Sequence, residues 1–448
     1  MDSHLVQRIL FLNPWLRDEV TPSQFVASHI PENYVQRSLA QSRLEEPMLG
    51  KPKVRLLIGP RQAGKSTLAW RMFQKSGRHP LFLLCEDMLI RSWCSEAVPF
   101  LRDLKELVPE PVPLFFEEAQ HLPEAGLFLK GLVDLGHAEE ILVTGSSSFH
   151  LMARTRESLA GRSTRHRLLP FSLEETAASA KALPPALVMD KRRRQLARHL
   201  SFGGYPEVWF SSAPEVVLWE LIEAFILRDA SDMFQVRYPD AFRRLLKLLA
   251  FDVGNLLNMS NLAQDCGVNR KTVQNYLDIL EETHIVRRIL PFQEGKRSEV
   301  TRTPKCYFVD NGVRNVLLGQ VSEPDILERP DTEALVENWL LSELLKNLPS
   351  RWSVQYWRST SKAEVDFVLS DGHQVIAVEV KAGRMTRPTV SRSARSFLGA
   401  YEPSGLFVVN QTLDTAVMVQ DRPVRFVPLE AAIPAILEHG KIMTSSNF

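Results

Sequence analysis

Val54-Arg-Leu-Leu-Ile58 running into Gly59-Pro-Arg-Gln-Ala-Gly64-Lys65-Ser66-Thr67 decides how this chain is read. An apolar run stops at a glycine, the spacing from Gly59 is GxxxxGK[ST], and STLAWRMF then reads as a helix. Strand, loop and helix in that order are what a phosphate cradle needs. Gly59 and Gly64 let the backbone bend so that its N–H groups converge on an anion, and the helix N-terminus adds the positive end of its dipole. Lys65 is then expected to reach the β- and γ-phosphates. The Ser66 hydroxyl is expected to ligate Mg²⁺, with Thr67 beside it in the first helical turn. The expected ligands are ATP and Mg²⁺.

Outward from this loop, short apolar strands at Val54–Ile58, Leu81–Leu84, Leu114–Phe116 and Ile141–Thr144 alternate with helix-like stretches. That alternation predicts a parallel sheet with helices on both faces. The third strand ends in Glu117 and Glu118. Glu117 is the candidate second metal ligand, holding Mg²⁺ through water, and Glu118 the candidate base that orients and deprotonates the attacking water. The fourth strand ends in Thr144-Gly-Ser146, and either hydroxyl suits a sensor beside the γ-phosphate. In SLAGRSTR, Arg162 is a candidate to stabilise transition-state charge from a neighbouring subunit.

The chain has 448 residues, 44% apolar and 24% charged, with 54 Lys+Arg against 53 Asp+Glu. A chain of this size and composition buries several cores, which excludes extensive disorder and fibrous architectures. Charge balance argues against a wholesale polyanion binder but not against a local basic face. No apolar run reaches the ~18 residues of a membrane span, and the N-terminus lacks a signal-peptide layout. Four scattered cysteines without a CxxC pair read as a reducing cytoplasm, with neither disulfide framework nor zinc site. Within residues 1–50, Asn13-Pro14-Trp15 is a candidate to flank an adenine. The stretch from Gly312 to Pro330 reads as a linker.

Residues 261–286, NLAQDCGVNRKTVQNYLDILEETHIV, have helix-turn-helix spacing. Ala263 is small where two helices cross, Gly267 permits the turn, Asn269 caps the second helix and Val273 packs it back. Arg270, Lys271, Gln274 and Asn275 then line the outer face near the N-terminus, where such helices meet DNA. Asp278, Glu281 and Glu282 make its C-terminal half acidic. The strands VRRILPF and KCYFVD are expected to form a wing.

From 331 onward a second α/β pattern carries Glu337 on a helix, Asp366 on one strand, and Glu379 and Lys381 on the next. Asp366 and Glu379 at adjacent strand ends would share a divalent metal, completed by Glu337. Residues two apart share a strand face, so Lys381 would position water or steady phosphate charge. Arg351, Arg358, Lys362, Arg384, Arg387, Arg392 and Arg395 give this region a local basic field suited to a phosphate backbone.

GPRQAGKST, FFEEAQ, TGSSS, SLAGR and GGYPEV, in this order, resemble a bacterial and archaeal family of AAA+ ATPases with a C-terminal domain of unknown function. The later strand-Asp, strand-ExK pattern is similar to PD-(D/E)xK nucleases. The resemblance implies an α/β fold with a P-loop AAA+ core (parallel sheet), helical lid, winged helix and restriction-endonuclease-like α/β domain. The corresponding segments are 1–50 (N-terminal helical), 51–170 (ATPase core), 171–240 (lid), 241–310 (winged helix) and 331–448 (nuclease-like). It also implies a homo-oligomer, often a hexamer, and places Gly203-Gly204-Tyr205-Pro206 in a lid motif near the nucleotide. Glu117 departs from the family's usual Asp. The expected function is ATP-dependent processing of duplex or branched DNA, with metal-dependent cleavage left open. The alternative is a nucleotide-dependent signalling switch in which the winged helix and C-terminal domain bind protein or DNA without cutting.

Overall fold

Strand β1 (Val54–Ile58) is buried along its whole length, as an apolar run in the middle of a parallel sheet must be. The computed structural model describes residues 1–37, 54–145, 159–177, 184–225, 236–293, 303–321 and 325–440. Around β1 lie β2 (Leu81–Leu84), β3 (Leu114–Glu117), β4 (Ile141–Gly145) and β5 (Ser163–Arg167), all parallel, in the order β2-β3-β4-β1-β5. The chain leaves β1 and returns at β2, three positions away, with β3 and β4 between them. The connection therefore opens a crevice at the carboxyl end of β1, where ligands of doubly wound sheets bind. The helix Lys65–Ser76 starts there, with Gly64 in left-handed backbone (φ 89°) at its N-cap.

This sheet belongs to one of two compact units, Met1–Leu169 with Glu282–His284. Two helices, Ser3–Leu12 and Pro22–Ser28, add to its cores through Leu5, Ile9, Phe25 and Val26. Asn13 is engaged by the sheet itself. It is fully buried, its Nδ2 donates to Phe82 O (2.9 Å), and its Oδ1 accepts from Phe82 N (2.7 Å). A side-chain amide thus pairs with the otherwise open edge strand β2.

The other unit comprises Pro170–Glu281 and Ile285–Phe448. It holds the helices Pro185–Phe202, Pro206–Phe210, Pro214–Ala224, Pro239–Phe251, Met259–Cys266 and Arg270–Glu282. An antiparallel pair follows, β6 (Val286–Ile289) with β7 (Lys305–Phe308). After the helix Thr332–Asn347 come β8 (Ser353–Arg358), β9 (Glu364–Ser370), β10 (Val375–Val380), β11 (Gly405–Asn410), β12 (Thr415–Val419) and β13 (Arg422–Pro428). They form a mixed sheet in the order β12-β13-β11-β10-β9-β8. One continuous apolar cluster runs from Leu196 and Leu245 through Leu277 and Trp339 to Phe407, so the helices, the small sheet and the large sheet share a core.

The expected linker is corrected here. Asn311–Leu317 is a helix, capped by Asp310 and buried throughout. Asn315 donates to Leu200 O and Ser201 O, Asn311 to Leu335 O, and Arg314 to Ala250 O, while pairing with Asp331 at 2.8 Å. Among the described residues, no helix is long and apolar enough to cross a membrane.

Candidate functional site

Gly59 has no room for a side chain. A Cβ there would lie 1.9 Å from Leu168 O, because the chain leaving β5 passes against the start of the phosphate loop. The Lys65 ammonium, 5% exposed, donates to Gly59 O (3.2 Å) and Pro60 O (2.8 Å). It is thereby held over the loop that its charge is meant to serve. Arg37, which sequence reasoning did not single out, braces the same loop. It is 4% exposed, and its guanidinium donates to Ala63 O (3.0 Å) and Leu169 O (2.5 Å). Nothing local marks Arg37, since its partners lie 26 and 132 residues away.

The acidic strand end meets this loop directly. The Ser66 hydroxyl and the Lys65 ammonium both lie near enough to the Glu117 carboxylate to favour its charge. Burial and the Glu118 charge outweigh both and raise the Glu117 pKa. A hydroxyl and a carboxylate together are the protein oxygens magnesium takes when water and triphosphate supply the rest, so this pair fits that ion.

Glu118 follows in left-handed backbone, φ 54°. Its N–H donates to Thr144 Oγ1 (3.3 Å), and Gln120 Nε2 donates to its carboxylate. The fully buried Thr144 therefore acts on the backbone of the candidate base, and Gln120 on its side chain. His121, next to this pair, has its pKa lowered by burial and lies 3.4 Å from Glu86. Thr67 is half-buried in the first helical turn. Ser146 lies outside the described residues.

Arg162 is placed elsewhere. Its carbonyl accepts from Val54 N (2.9 Å) at the amino end of β1, whereas the phosphate loop follows the carboxyl end. Its guanidinium pairs with Asp134 at 2.6 Å. It does not join the loop of its own chain.

In the second unit, Gly267 ends one helix at φ 68°, and Asn269 Oδ1 accepts from Thr272 N (2.8 Å) at the start of the next. Val273 is fully buried, and Arg270, Lys271, Gln274 and Asn275 are exposed together. The acidic half of that helix is neutralised from β6. Arg288 lies 2.7 Å from Asp278 and 2.6 Å from Glu281, and Arg287 lies 3.4 Å from Glu281.

Gly203 and Gly204 have structural work. A Cβ on Gly203 would lie 1.8 Å from the Asp310 carboxylate, and one on Gly204 would lie 2.2 Å from Phe171 O. Asp310 Oδ2 accepts from Gly204 N (2.7 Å), and Tyr205 is buried in the core.

The carboxylates expected to gather at the large sheet do gather. Glu337, Asp366 and Glu379 lie close enough that the first and last push up the Asp366 pKa, after burial, to about 8. Asp366 Oδ2 accepts from Val380 N (2.7 Å). Both Glu379 oxygens are engaged, by Lys381 Nζ (3.1 Å) and Ser391 Oγ (2.9 Å). Glu337 Oε1 accepts from the Tyr307 hydroxyl and faces Lys305 Nζ at 3.4 Å. Among the described residues, no three His, Cys, Asp or Glu side chains are grouped to hold a metal ion. Protein donors engage an oxygen of each: Val380 N on Asp366, Lys381 and Ser391 on Glu379, and Tyr307 on Glu337. Sequence reasoning missed Lys305 and Tyr307, which read only as part of an apolar strand.

Comparison with known proteins agrees with the first unit's geometry. Residues 51–177 match the AAA domain family. Residues 193–323 and 332–431 match two domains of unknown function, DUF8612 and DUF4143. The uncharacterized protein Rv2008c of Mycobacterium tuberculosis is 30% identical over 385 residues, 84% of this chain and 80% of that protein. An uncharacterized protein of Haemophilus influenzae is 23% identical over 346 residues, 73% of this chain and 82% of its own length. Among solved structures, the Walker-type ATPase PABY2304 of Pyrococcus abyssi has a TM-score of 0.45 at 17% identity, covering 65% of this chain and 97% of its own. The ADP form of Aeropyrum pernix ORC2 has a TM-score of 0.34 at 15% identity, covering 66% of this chain and 98% of its own.

Proposed function

Because this chain belongs to one family with Rv2008c and its residues 51–177 match the AAA domain, we propose that it is an ATPase whose nucleotide cycle governs engagement of duplex or branched DNA. The observation that carries the DNA half is the face of the helix Arg270–Glu282. Arg270, Lys271, Gln274 and Asn275 are exposed there, and Arg288 has taken up the carboxylates that would repel phosphate. Two cations and two amides near a helix N-terminus can contact phosphates and base edges together. The hairpin of β6 and β7 is then the wing of a winged helix.

In the ATPase half, the loop amides after Gly59 and the Lys65 ammonium bind the phosphates. Lys65 exchanges its bonds to Gly59 O and Pro60 O for phosphate oxygens. Ser66 and Glu117 would hold Mg²⁺, whose charge would offset that of the β- and γ-phosphates. Glu118 orients and deprotonates the water, with its backbone set by Thr144. Arg162 reaches a nucleotide only as the arginine of a neighbouring subunit in a homo-oligomer, and must leave Asp134 to do so.

The test is steady-state ATP hydrolysis at low salt with single-stranded, duplex and four-way-junction DNA. Low salt is required because phosphate contacts weaken steeply with ionic strength. Stimulation by duplex or junction is expected. A rate indifferent to every DNA overturns the DNA half and leaves a nucleotide switch that acts on protein.

A further inference from the structure

The carboxylate cluster of the large sheet already contains a cation, and that cation comes from another sheet. Lys305 opens β7 and is 3% exposed. Its ammonium lies 2.6 Å from Glu364 Oε1 on β9 and 3.4 Å from Glu337 Oε1 on the helix Thr332–Asn347. The Tyr356 ring, centroid 5.5 Å away, presents its face to the same charge. Tyr307, two residues on and so on the same strand face, donates to Glu337, while Arg358 holds the other Glu364 oxygen at 2.9 Å.

We propose that Lys305 is the resident cation of this site, standing where carboxylates so gathered would otherwise bind a divalent ion. Three cations are in place: Lys305 and Arg358 face Glu337 and Glu364, and Lys381 faces Glu379, while Asp366 accepts from Val380 N. A buried ammonium held by two carboxylates is costly to expose and costly to remove, because either change leaves uncompensated charge in a low dielectric. A divalent ion entering the cluster would have to expel a lysine anchored by its own strand pairing, Ile289 with Lys305. The wild-type C-terminal domain therefore takes no divalent ion at Asp366 and makes no metal-activated water there. Removing the ammonium leaves an oxygen-rich pocket of the kind hard cations such as Mn²⁺ prefer. This inference does not depend on whether the chain binds DNA.

The test is Mn²⁺ binding to the nucleotide-free full chain, read by the loss of free-ion signal in electron paramagnetic resonance. Wild type and Asp366→Asn should bind the ion identically. Lys305→Ala should gain a bound Mn²⁺, raise its melting temperature in that ion, and lose both effects when Asp366→Asn is added. Lys305→Arg, which keeps the charge, should gain nothing. Wild-type binding that Asp366→Asn abolishes would overturn the proposal, as would a folded Lys305→Ala that ignores Mn²⁺. If Lys305→Ala does not fold, the wild-type comparison with Asp366→Asn still decides.

Discussion

The Arg288 guanidinium lies 2.7 Å from the Asp278 carboxylate, reaching across from β6 to the helix that carries Arg270 and Lys271. It also binds Glu281 through Nε and Nη2, at 2.6 Å each. Its own pKa is raised by those two acids, although burial works the other way first. Breaking this clamp should act on nucleic-acid affinity without touching a contact residue. Arg288→Ala is expected to weaken duplex binding by exposing two carboxylates beside the phosphate path. Arg270→Ala and Lys271→Ala should each weaken binding and also lower the slope of log K against log salt by about 1. Fluorescence anisotropy over a salt series separates the two effects. An unchanged slope in both single variants would remove that helix from the interface.

Lys65→Ala should weaken triphosphate binding, and Glu118→Gln should bind ATP normally but hydrolyse it slowly. Thr144→Ala should resemble Glu118→Gln, because its hydroxyl accepts from the Glu118 N–H. Nucleotide affinity by calorimetry and turnover by phosphate release distinguish binding defects from catalytic ones. Normal turnover in Glu118→Gln would assign the base elsewhere.

Arg37→Ala is expected to lower both stability and nucleotide affinity. It removes a charged donor from two buried carbonyls, one of them in the phosphate loop, at about 2–3 kcal/mol. Its effect should differ from that of Lys65→Ala by appearing in thermal melts without ligand. A variant that melts like wild type and binds ATP unchanged would show that the loop does not lean on Arg37.

The parallel sheet was legible because β1, β3 and β4 are apolar runs buried on both faces, and such runs announce themselves. β5 escaped notice for the opposite reason: Ser163-Thr-Arg-His-Arg167 is a half-exposed edge strand with no apolar residue. β12 and β13 at the far edge of the large sheet were less legible for another reason: they are part-exposed, and the apolar residues of β12 are nowhere fully buried. The segment Asn311–Leu317 misled because Asn and Arg suggest solvent, whereas Asn311, Arg314 and Asn315 bury their polar atoms against backbone carbonyls. The phosphate-loop residues were readable because their chemistry is contiguous. Arg37 and Lys305 were not, because each acts on groups that only folding brings near.

His199 supplies a pH dependence whose sign can be worked out. It is 1% exposed, its Nε2 lies 3.0 Å from Thr176 Oγ1, and its ring stands 4.6 Å from that of Trp209. Burial, then the charges of Lys346 and Arg198, lower its pKa well below 6.5. The folded protein therefore holds a neutral imidazole at pH values where the unfolded chain takes up a proton. The contribution of this site to stability is full above about pH 6.5 and falls as pH drops toward the folded pKa, by about 1.4 kcal/mol per pH unit. Hydrogen-exchange protection of the helix Pro185–Phe202, corrected for intrinsic exchange, should fall between about pH 6.5 and 5. His199→Gln should lose part of the stability at pH 8 and much of this slope. An unaltered slope in that variant would place the acid sensitivity on another group.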